Sequence, residues 1–450
     1  MREFPDGFRW GAATSAYQIE GGAAERGRSI WDSFCAVPGN VYHGDTADVA
    51  CDHYGRWAED VALMAELGLT AYRFSVAWPR VLPAGTGEPD RRGLDFYSRL
   101  VDALLERGIE PALTLYHWDL PEALHERGGW LERSTVDAFV DFAGAVRDQL
   151  GDRVRLWTTL NEPWVAAMLG YGTSLLPPAL ADGAAALRAA HHLLLAHGQA
   201  VPVLRGGDRQ VGITVNLSPM VPATSSAEDA AAAERFDGYH NRWFLDPLLR
   251  GAYPQDMADW YGAAFDGVVA PGDLATIAAP LDFLGVNYYC RMHIAAGADA
   301  ADPLTPRPAV GARQVSPSGV PATAMGWPVE PDGLRQILVR LRADHPGLPP
   351  VYITENGAAF HDYADPAGAV HDPERVEYLR GHLGALHEAI AAGVDVRGYF
   401  CWSLLDNFEW HQGYAKRFGI VHVDFASQRR TPKTSARWYS EVIRANGLRS

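Results

Sequence analysis

Eight short runs rich in β-branched and aromatic residues alternate with longer amphipathic runs along the chain, and this alternation constrains the fold most strongly. Short runs of this composition, bounded by turn residues, predict β-strands. The predicted strands are Phe8 to Ala16, Ala71 to Ala77, Pro111 to Tyr116, Leu156 to Leu160, Gln210 to Leu217, Leu281 to Tyr288, Val351 to Thr354 and Val396 to Ser403. Strands separated by helices pair in parallel, and eight such units close a (β/α)₈ TIM barrel.

The amphipathic runs have the periodicity of helices. They include WAEDVALMAELG, DFYSRLVDALLERG, STVDAFVDFAGAVRDQLG, AALRAAHHLLLAHG, GLRQILVRLRADHPG and DPERVEYLRGHLGALHEAIAAG. We expect Ser134 and Thr135 to cap the third of these and Gly151 to end it. We predict one (β/α)₈ domain over residues 1–450, with an open doubly wound sheet as the alternative. The Pro-, Gly- and Ala-rich segment from Ala295 to Thr323 is predicted to be a long loop that shapes the mouth of the barrel.

Charge and composition indicate what the protein does not bind. The net charge is −16, from 39 basic and 55 acidic residues, which disfavours nucleic acid and anionic membranes as partners. The sequence shows neither a signal peptide nor an apolar run of the ~18 residues that a membrane span needs, so we expect a cytoplasmic protein. The four cysteines are scattered without paired spacing, which is typical of free thiols in a reducing compartment.

Several kinds of chemistry lack their sequence signature. Neither lysine, Lys416 or Lys433, follows the glycine of a phosphate-binding loop. The histidines His191, His192 and His197 lie in an apolar helical run without a zinc motif, so we expect hydrogen-bonded core histidines there. No G-x-S-x-G turn indicates a serine hydrolase. We therefore expect no metal and no cofactor, and no coiled-coil, repeat or charge-run signal indicates an assembly role.

Two glutamates end predicted strands. Glu162 follows strand four in "LWTTLNEPW", and Glu355 follows strand seven in "YITENGAAF"; each stands beside an asparagine. The carboxyl ends of barrel strands all meet at one mouth, so these two carboxyl groups are expected to face each other. Paired carboxylates across a cleft are typical of glycoside hydrolysis, in which one protonates the leaving oxygen while the other attacks the anomeric carbon or activates water.

Polar and aromatic residues near other strand ends fit the same chemistry. A sugar presents hydroxyl groups at its edge and C–H groups on its face, so it binds to amide or carboxylate partners together with flat rings. The candidates for hydroxyl contacts are Gln18, His117, Asn161, Asn287 and Glu409, and those for ring contacts are Trp118, Trp402 and Trp410. For Trp10 and Trp157, by contrast, we expect core packing.

A series of motifs resembles glycoside hydrolase family 1, the β-glucosidase family. They are FRWGAATSAYQIEG, YRFSVAWPR, HWDLP, TLNEPW, GVNYY, MGWPVEPDGL, YITENGAA and CWSLLDNFEW followed by GYAKRFGIVHVD, in the order of the family and over nearly the whole chain. The resemblance implies a retaining β-glycosidase on a (β/α)₈ barrel, with Glu162 as acid/base and Glu355 as nucleophile. It further implies that the glycone hydroxyls are held by Gln18, His117, Asn161, Glu409 and Trp410.

The resemblance assigns four more residues. Trp402 would form the aromatic floor, Tyr289 would hydrogen-bond the nucleophile, Arg73 would lie beneath the nucleophile and keep it ionised, and Trp327 would line the aglycone side. Glu409 lies where family members that act on 6-phosphorylated sugars need cationic groups, so an unphosphorylated sugar is expected. Position 162 is Glu, whereas thioglucosidases have Gln there, so O-glycosides are expected.

The substrate is expected to be a small β-glycoside. β-Glucosides come first, with β-galactosides and β-fucosides tolerated because one Gln/Glu pair can read both O4 epimers. The stretch "GYGTSLLPPALADG", with Leu175, Leu176 and Leu180, departs from the family pattern, as do His411 and Gln412. Either this loop has been shortened by drift, or it forms an apolar entrance for a hydrophobic natural-product aglycone or for transglycosylation. A carbohydrate-binding protein without catalysis is the remaining alternative, and the presence of both glutamates argues against it.

Overall fold

The computed structural model describes residues 2–297, 304 and 308–449. All eight predicted strands are present and form a closed parallel barrel. We number them β1 to β8 in chain order: Arg9–Ala13, Ala71–Ser75, Glu110–Tyr116, Leu156–Asn161, Gln210–Asn216, Phe283–Asn287, Val351–Asn356 and Val396–Trp402. Part of the predicted loop from Ala295 to Thr323 lies outside the described residues.

The barrel closes because its first and last strands are neighbours. β8 pairs with β1 through Gly398 and Arg9, and β7 lies between β6 and β8. The strand order around the barrel is therefore the order along the chain. This closure excludes the open doubly wound sheet and confirms the (β/α)₈ fold, in which the strand ends of β1 to β8 surround one mouth.

Helices follow the strands as the periodicity predicts. The α-helices are Ala16–Ile19, Ile30–Cys35, His53–Leu67, Trp78–Val81, Arg91–Glu106, Glu122–His125, Arg133–Leu150, Gly183–Leu204, Ala227–Asp237, Trp243–Arg250, Gln255–Tyr261, Asp273–Ile277, Asp332–Asp344, Pro373–Ala391 and Thr434–Ala445. No helix of the described part is both long and apolar enough to cross a membrane.

The predicted cap of one helix is wrong. The helix Arg133–Leu150 begins after Glu132, whose side chain makes no capping bond. Ser134 and Thr135 therefore lie in its first turn, and the Thr135 hydroxyl instead donates to the Gly129 carbonyl at 2.6 Å. The preceding turn competes for this hydroxyl, which sequence periodicity alone does not reveal. The expected end at Gly151 is confirmed, since Gly151 is the C-terminal cap.

The predicted core residues are buried. Trp10 and Trp157 are 2% and 0% exposed, and all four cysteines are free and buried. The histidines of Gly183–Leu204 have core partners: His191 contacts Asp273, His192 contacts the Trp130 carbonyl, and His197 contacts Thr159.

Short strands outside the barrel extend its loops. Met220–Pro222, Met292–Ala296 and Ala312–Val315 form a small sheet after β5 and β6, and Val421–Asp424 pairs with Arg429–Pro432 after β8. Arg2–Glu3 and Gly447–Leu448 join the two ends of the chain. The extended loops after the strands build the walls of the mouth.

Candidate active site

The two strand-end glutamates lie at the mouth of the barrel. Glu162 directly follows β4, and Glu355 is the penultimate residue of β7. Their exposed fractions are only 5% and 3%. Each carboxyl group is therefore largely removed from water, and its charge state depends on the side chains that surround it.

Glu355 contacts a cation and a hydroxyl donor. Arg73, on β2, donates to Glu355 Oε1 at 2.5 Å, and the Tyr289 hydroxyl donates to Glu355 Oε2 at 2.6 Å. Both contacts stabilise the ionised form. The neighbours that the resemblance implied for Glu355 are thus in contact with it.

Glu162 has a weaker set of partners. Asn287, the last residue of β6, donates to Glu162 Oε1 at 2.6 Å and to Asn161 Oδ1 at 3.1 Å. Arg73 donates to the same Asn161 oxygen at 2.6 Å. A continuous chain of hydrogen bonds therefore joins Glu162 to Glu355 through Asn287, Asn161 and Arg73.

The environments separate the charge states of the two glutamates. Burial raises the pKa of Glu162 to about 8, and the nearby Glu355 carboxylate contributes to this rise. Burial also raises the pKa of Glu355, but Arg73 and the Tyr289 hydrogen bond oppose the rise. Glu355 therefore ionises first and Glu162 keeps the proton, although the two groups titrate as a coupled pair.

Polar side chains from other strand ends line the opposite wall. Gln18 donates to the Phe408 carbonyl at 2.9 Å and to Glu409 Oε2 at 3.4 Å. His117 Nε2 lies 3.1 Å from Asn161 Nδ2. Burial, with the charge of Glu355, raises the pKa of Glu409 to about 8. This wall offers amide, imidazole and carboxyl groups in one small space.

Aromatic rings complete the pocket. The Trp402 ring stacks on His117 at 5.8 Å, and the Trp410 ring lies 4.7 Å from that of Trp118. The Trp118 indole N–H donates to the Asn161 carbonyl at 2.9 Å. Trp327 stands 5.2 Å from the ring of Tyr289. The fold therefore brings all the predicted site residues together at this mouth.

Three of these residues have strained backbones. The φ angles of Trp118, Glu162 and Trp410 are 77°, 48° and 50°. Non-glycine residues rarely occupy this left-handed region, so the surrounding contacts must hold these three residues in place.

The loop after β4 that differs from the family pattern has two parts with different environments. Leu176 is 6% exposed and packs in the core beside a pocket lined by Trp118 and Trp130. Leu180 is 46% exposed. The other departure from the family pattern lies after β8, where Gln412 Nε2 is 2.8 Å from His411 Nε2. Leu176 is consequently a packing residue rather than part of an apolar entrance.

Sequence reasoning missed several polar residues of the site. Thr354, on β7, donates to Asn287 Oδ1 at 2.7 Å and so orients the amide that contacts Glu162. Trp164 Nε1, Asn216 Oδ1 and His240 Nδ1 are buried near the ends of β4 and β5 and have no hydrogen-bond partner among the residues that the structure describes. Asn216 could have been predicted as a site residue because it is a polar residue at the end of a strand. His240 follows no strand and carried no such signal.

Comparison with known proteins agrees with this geometry. The family model described as glycosyl hydrolase family 1 matches residues 1–448. The thermostable β-glucosidase B of Thermobispora bispora is 53% identical over 99% of this chain and 92% of its own length. The bifunctional β-D-glucosidase/β-D-fucosidase of Bifidobacterium breve is 47% identical over 99% of each chain.

A solved structure shows the same fold. The psychrophilic β-glucosidase of Micrococcus antarcticus superposes with a TM-score of 0.95 at 48% identity, covering 99% of this chain and 98% of that one. A full-length family match and relatives at this identity establish membership. The chain belongs to glycosyl hydrolase family 1.

Proposed function

We propose that this chain is a retaining β-glucosidase that releases terminal, non-reducing β-D-glucosyl units from small glycosides. The observation that carries the proposal is the pair of buried glutamates with different partners: Glu355 accepts from the Arg73 guanidinium, and Glu162 accepts from the neutral amide of Asn287. Membership of the family and the β-glucosidase relatives support it. The whole chain, residues 1–450, acts in this proposal as a single catalytic domain without a cofactor.

The first chemical step uses the two charge states. In retaining enzymes the carboxyl groups stand about 5 to 5.5 Å apart, which leaves no room for water between nucleophile and sugar. Ionised Glu355 attacks the anomeric carbon, and protonated Glu162 gives its proton to the leaving oxygen as that bond breaks. The product of this step is a glycosyl ester on Glu355 and a free alcohol.

The second step reverses the role of Glu162. Once Glu355 is esterified its negative charge is gone, so the pKa of Glu162 falls. Glu162 now accepts a proton from water, which attacks the anomeric carbon and restores the Glu355 carboxylate. Two inversions give overall retention of configuration.

The wall formed by Gln18, His117, Asn161, Glu409 and Trp410 is proposed to bind the glycone, with Trp402 beneath the sugar ring. Gln18 and Glu409 touch each other, so one pair of side chains can serve either epimer at O4. This supports tolerance of β-galactosides and β-fucosides. A 6-phosphate would meet the buried carboxyl group of Glu409 and is disfavoured.

The leaving group is proposed to lie toward β4 to β6, across the barrel from β8 and β1. Trp327 and the unpartnered polar atoms of Trp164 and Asn216 are available there. A specialised hydrophobic aglycone or a transglycosylase is not favoured, because Leu176 packs in the core and the relatives are glycosidases. A cytoplasmic location and the absence of nucleic-acid and membrane partners stay predictions from the sequence.

Two substitutions test the assignment of roles. Glu355→Gly should lose nearly all hydrolysis of nitrophenyl β-glucoside, and azide should restore turnover with an inverted glycosyl azide as product. Glu162→Ala should retain the first step on substrates with a good leaving group, since these need no proton, and lose it on poor ones. Equal losses for both variants on every leaving group would refute the assignment, and a well-folded wild type without hydrolysis would indicate a binding protein.

A further inference from the structure

A small cavity lies directly behind the proposed glycone wall. Among its lining residues are Tyr17, Glu20, Arg26, Ser29 and Asp119. The space within which the centre of a water molecule can move is ≈ 10 Å³. This is close to the minimum for a cavity that holds one water molecule. The cavity thus separates two segments of the mouth, the one that carries Gln18 and the one that carries His117 and Trp118.

Asp119 is the unusual member of this group. It is 1% exposed, and apart from an interaction with its own backbone N–H neither carboxyl oxygen has a hydrogen-bond partner among the described residues. Buried carboxyl groups are almost always paired, because an unpaired charge in the interior is costly.

The cations near Asp119 are already engaged. Arg80 donates to Glu20 Oε2 at 2.9 Å, and Tyr97 donates to Glu20 Oε1 at 2.6 Å. Arg26 makes two hydrogen bonds to Asp32, at 2.6 and 2.8 Å. Each arginine therefore has its own carboxylate, and an ionised Asp119 would leave one negative charge uncompensated.

A neutral Asp119 removes this charge and gains a hydrogen-bond donor. Burial, together with the charge of Glu20, raises the pKa of Asp119 to about 8. The backbone N–H of Asp119 itself, followed by Arg26 and Arg80, opposes the rise without cancelling it. The protonated carboxyl group has an O–H donor at the wall of the cavity, whose lining also includes Tyr17, Glu20 and Ser29.

We propose that Asp119 is a positioning residue: as a neutral carboxylic acid it braces the segment of His117 and Trp118 against the segment of Gln18 and Glu20. The backbone contacts of the same region agree with this role. Ile30 N–H donates to the Leu120 carbonyl at 2.9 Å, so the chain just past Asp119 is also tied down. The inference rests on the proposed function, because it takes His117, Trp118 and Gln18 to bind the sugar.

The first test uses stability, which does not depend on activity. The unfolded chain has an ordinary aspartate pKa of about 3.9, well below the folded value. The contribution of Asp119 to the stability of the wild type then decreases as pH rises from about 4 to about 8, because the unfolded state releases a proton that the folded state retains. Asp119→Asn has no such proton. Its Tm minus that of wild type should rise by at least about 2 °C between pH 5 and pH 9.

The second test uses sugar binding. Asp119→Asn keeps a neutral side chain of similar shape, so kcat/KM on nitrophenyl β-glucoside at pH 6 should stay within about threefold of wild type. Asp119→Ala removes the brace, so kcat/KM and the affinity for the iminosugar deoxynojirimycin should each fall about tenfold. The matched control is Asp246→Asn, a buried aspartate on Trp243–Arg250 that pairs with Arg250, and it should leave inhibitor affinity unchanged.

Each outcome decides something. If the Tm difference between Asp119→Asn and wild type is independent of pH, Asp119 is not a neutral acid in the folded protein. If Asp119→Ala binds deoxynojirimycin as tightly as wild type, or if Asp119→Asn loses as much as Asp119→Ala, the positioning role is overturned. Should Asp119→Ala not fold, the Asn variant still decides between charge states. Wild type that fails to hydrolyse β-glucosides would refute the proposed function, whereas the Tm comparison would remain interpretable.

Discussion

At the scale of single residues, two identical side chains differ only through what touches them. Glu355 receives a guanidinium and a phenol hydroxyl, whereas Glu162 receives one amide N–H. Burial raises the pKa of both carboxyl groups, so their hydrogen-bond partners decide which group ionises first. This difference in partners is the physical basis for assigning attack to one residue and proton transfer to the other.

The charge states predict the pH dependence of kcat/KM. Glu162 must be protonated for the first step, so the rate should fall as pH rises through the region near 8 set by its raised pKa. Glu355 must be ionised, so kcat/KM should also fall at acidic pH. Because burial raises the pKa of Glu355, this decrease should begin at a higher pH than for an ordinary glutamate. A pH series with nitrophenyl β-glucoside should therefore give a bell-shaped profile.

Glu162→Gln provides the control for the alkaline limb. With a dinitrophenyl leaving group, which needs no proton, kcat/KM of this variant should show no decrease between pH 6 and pH 9. Burial also raises the pKa of Glu409 to about 8. A decrease that persists in Glu162→Gln would belong to Glu409 and would contradict the assignment to Glu162.

The sequence predicted the types of site residue better than their contacts. Glu162 and Glu355 could be found because each ends an apolar strand beside an asparagine. The bond from Asn287 to Glu162 spans 125 positions and that from Thr354 to Asn287 spans 67. No local pattern records such pairs, because the closure of the barrel creates them.

At the scale of elements, the ends of β7 and β8 must approach closely to form the mouth. Gly357 follows β7, and a Cβ at this position would lie 1.6 Å from the Trp402 carbonyl oxygen at the end of β8. Only a residue without a side chain permits this approach. The same strand ends carry Glu355 and Trp402, so the glycine controls the spacing between the proposed nucleophile and the proposed aromatic floor.

Gly357→Ala is expected to damage both stability and activity. The methyl group would force the backbone of Gly357 away from that of Trp402, which should lower the free energy of unfolding by roughly 3 kcal/mol or more. A displacement near 1 Å at the site would lower kcat/KM about 100-fold. Chemical denaturation and kinetics measure the two effects. Gly144→Ala is the control: its Cβ meets only Val203 Cγ1, at 3.8 Å, so stability should be unchanged or slightly higher. A Gly357→Ala variant as active as wild type would refute the spacing argument.

Elements were predicted correctly where a repeated pattern specified them. The eight strands were predicted from short runs rich in β-branched or aromatic residues, which suit barrel strands because these are buried on both faces. The cap of Arg133–Leu150 was predicted wrongly because the Thr135 hydroxyl has a partner in the preceding turn. Helix ends depend on such individual bonds, whereas helix bodies depend on periodicity over many residues.

At the scale of the whole molecule, a buried charge cluster ties the end of the chain to the mouth. Lys433, 0% exposed, donates to Asp362 Oδ2 at 2.5 Å and to Asp406 Oδ1 at 2.7 Å. Arg375 contacts Asp362 and Asp372. Asp362 follows β7 and Asp406 follows β8, so the cluster fixes the loops next to the proposed nucleophile and the glycone wall.

The sequence could not indicate this cluster. Its members are single charged residues in loops and at helix starts, at positions that in most chains are exposed. Arg417 is the third cation of the cluster and lies 2.7 Å from Asp406 Oδ2. Three cations then balance three carboxylates, which explains how so many charges can be buried together.

Lys433→Met should destabilise the protein strongly, because it leaves Asp362 and Asp406 with one negative charge uncompensated in the interior. Loss of one partner of a buried ion pair costs about 3–5 kcal/mol. Urea denaturation of Lys433→Met, of the double variant Lys433→Met/Asp406→Asn and of Arg2→Met measures the effect. The double variant should recover part of the loss because it restores charge balance. Arg2, half-exposed with Glu388 at 3.3 Å, should contribute under about 1 kcal/mol. Equal stabilities of Lys433→Met and Arg2→Met would show that the cluster does not hold the loops.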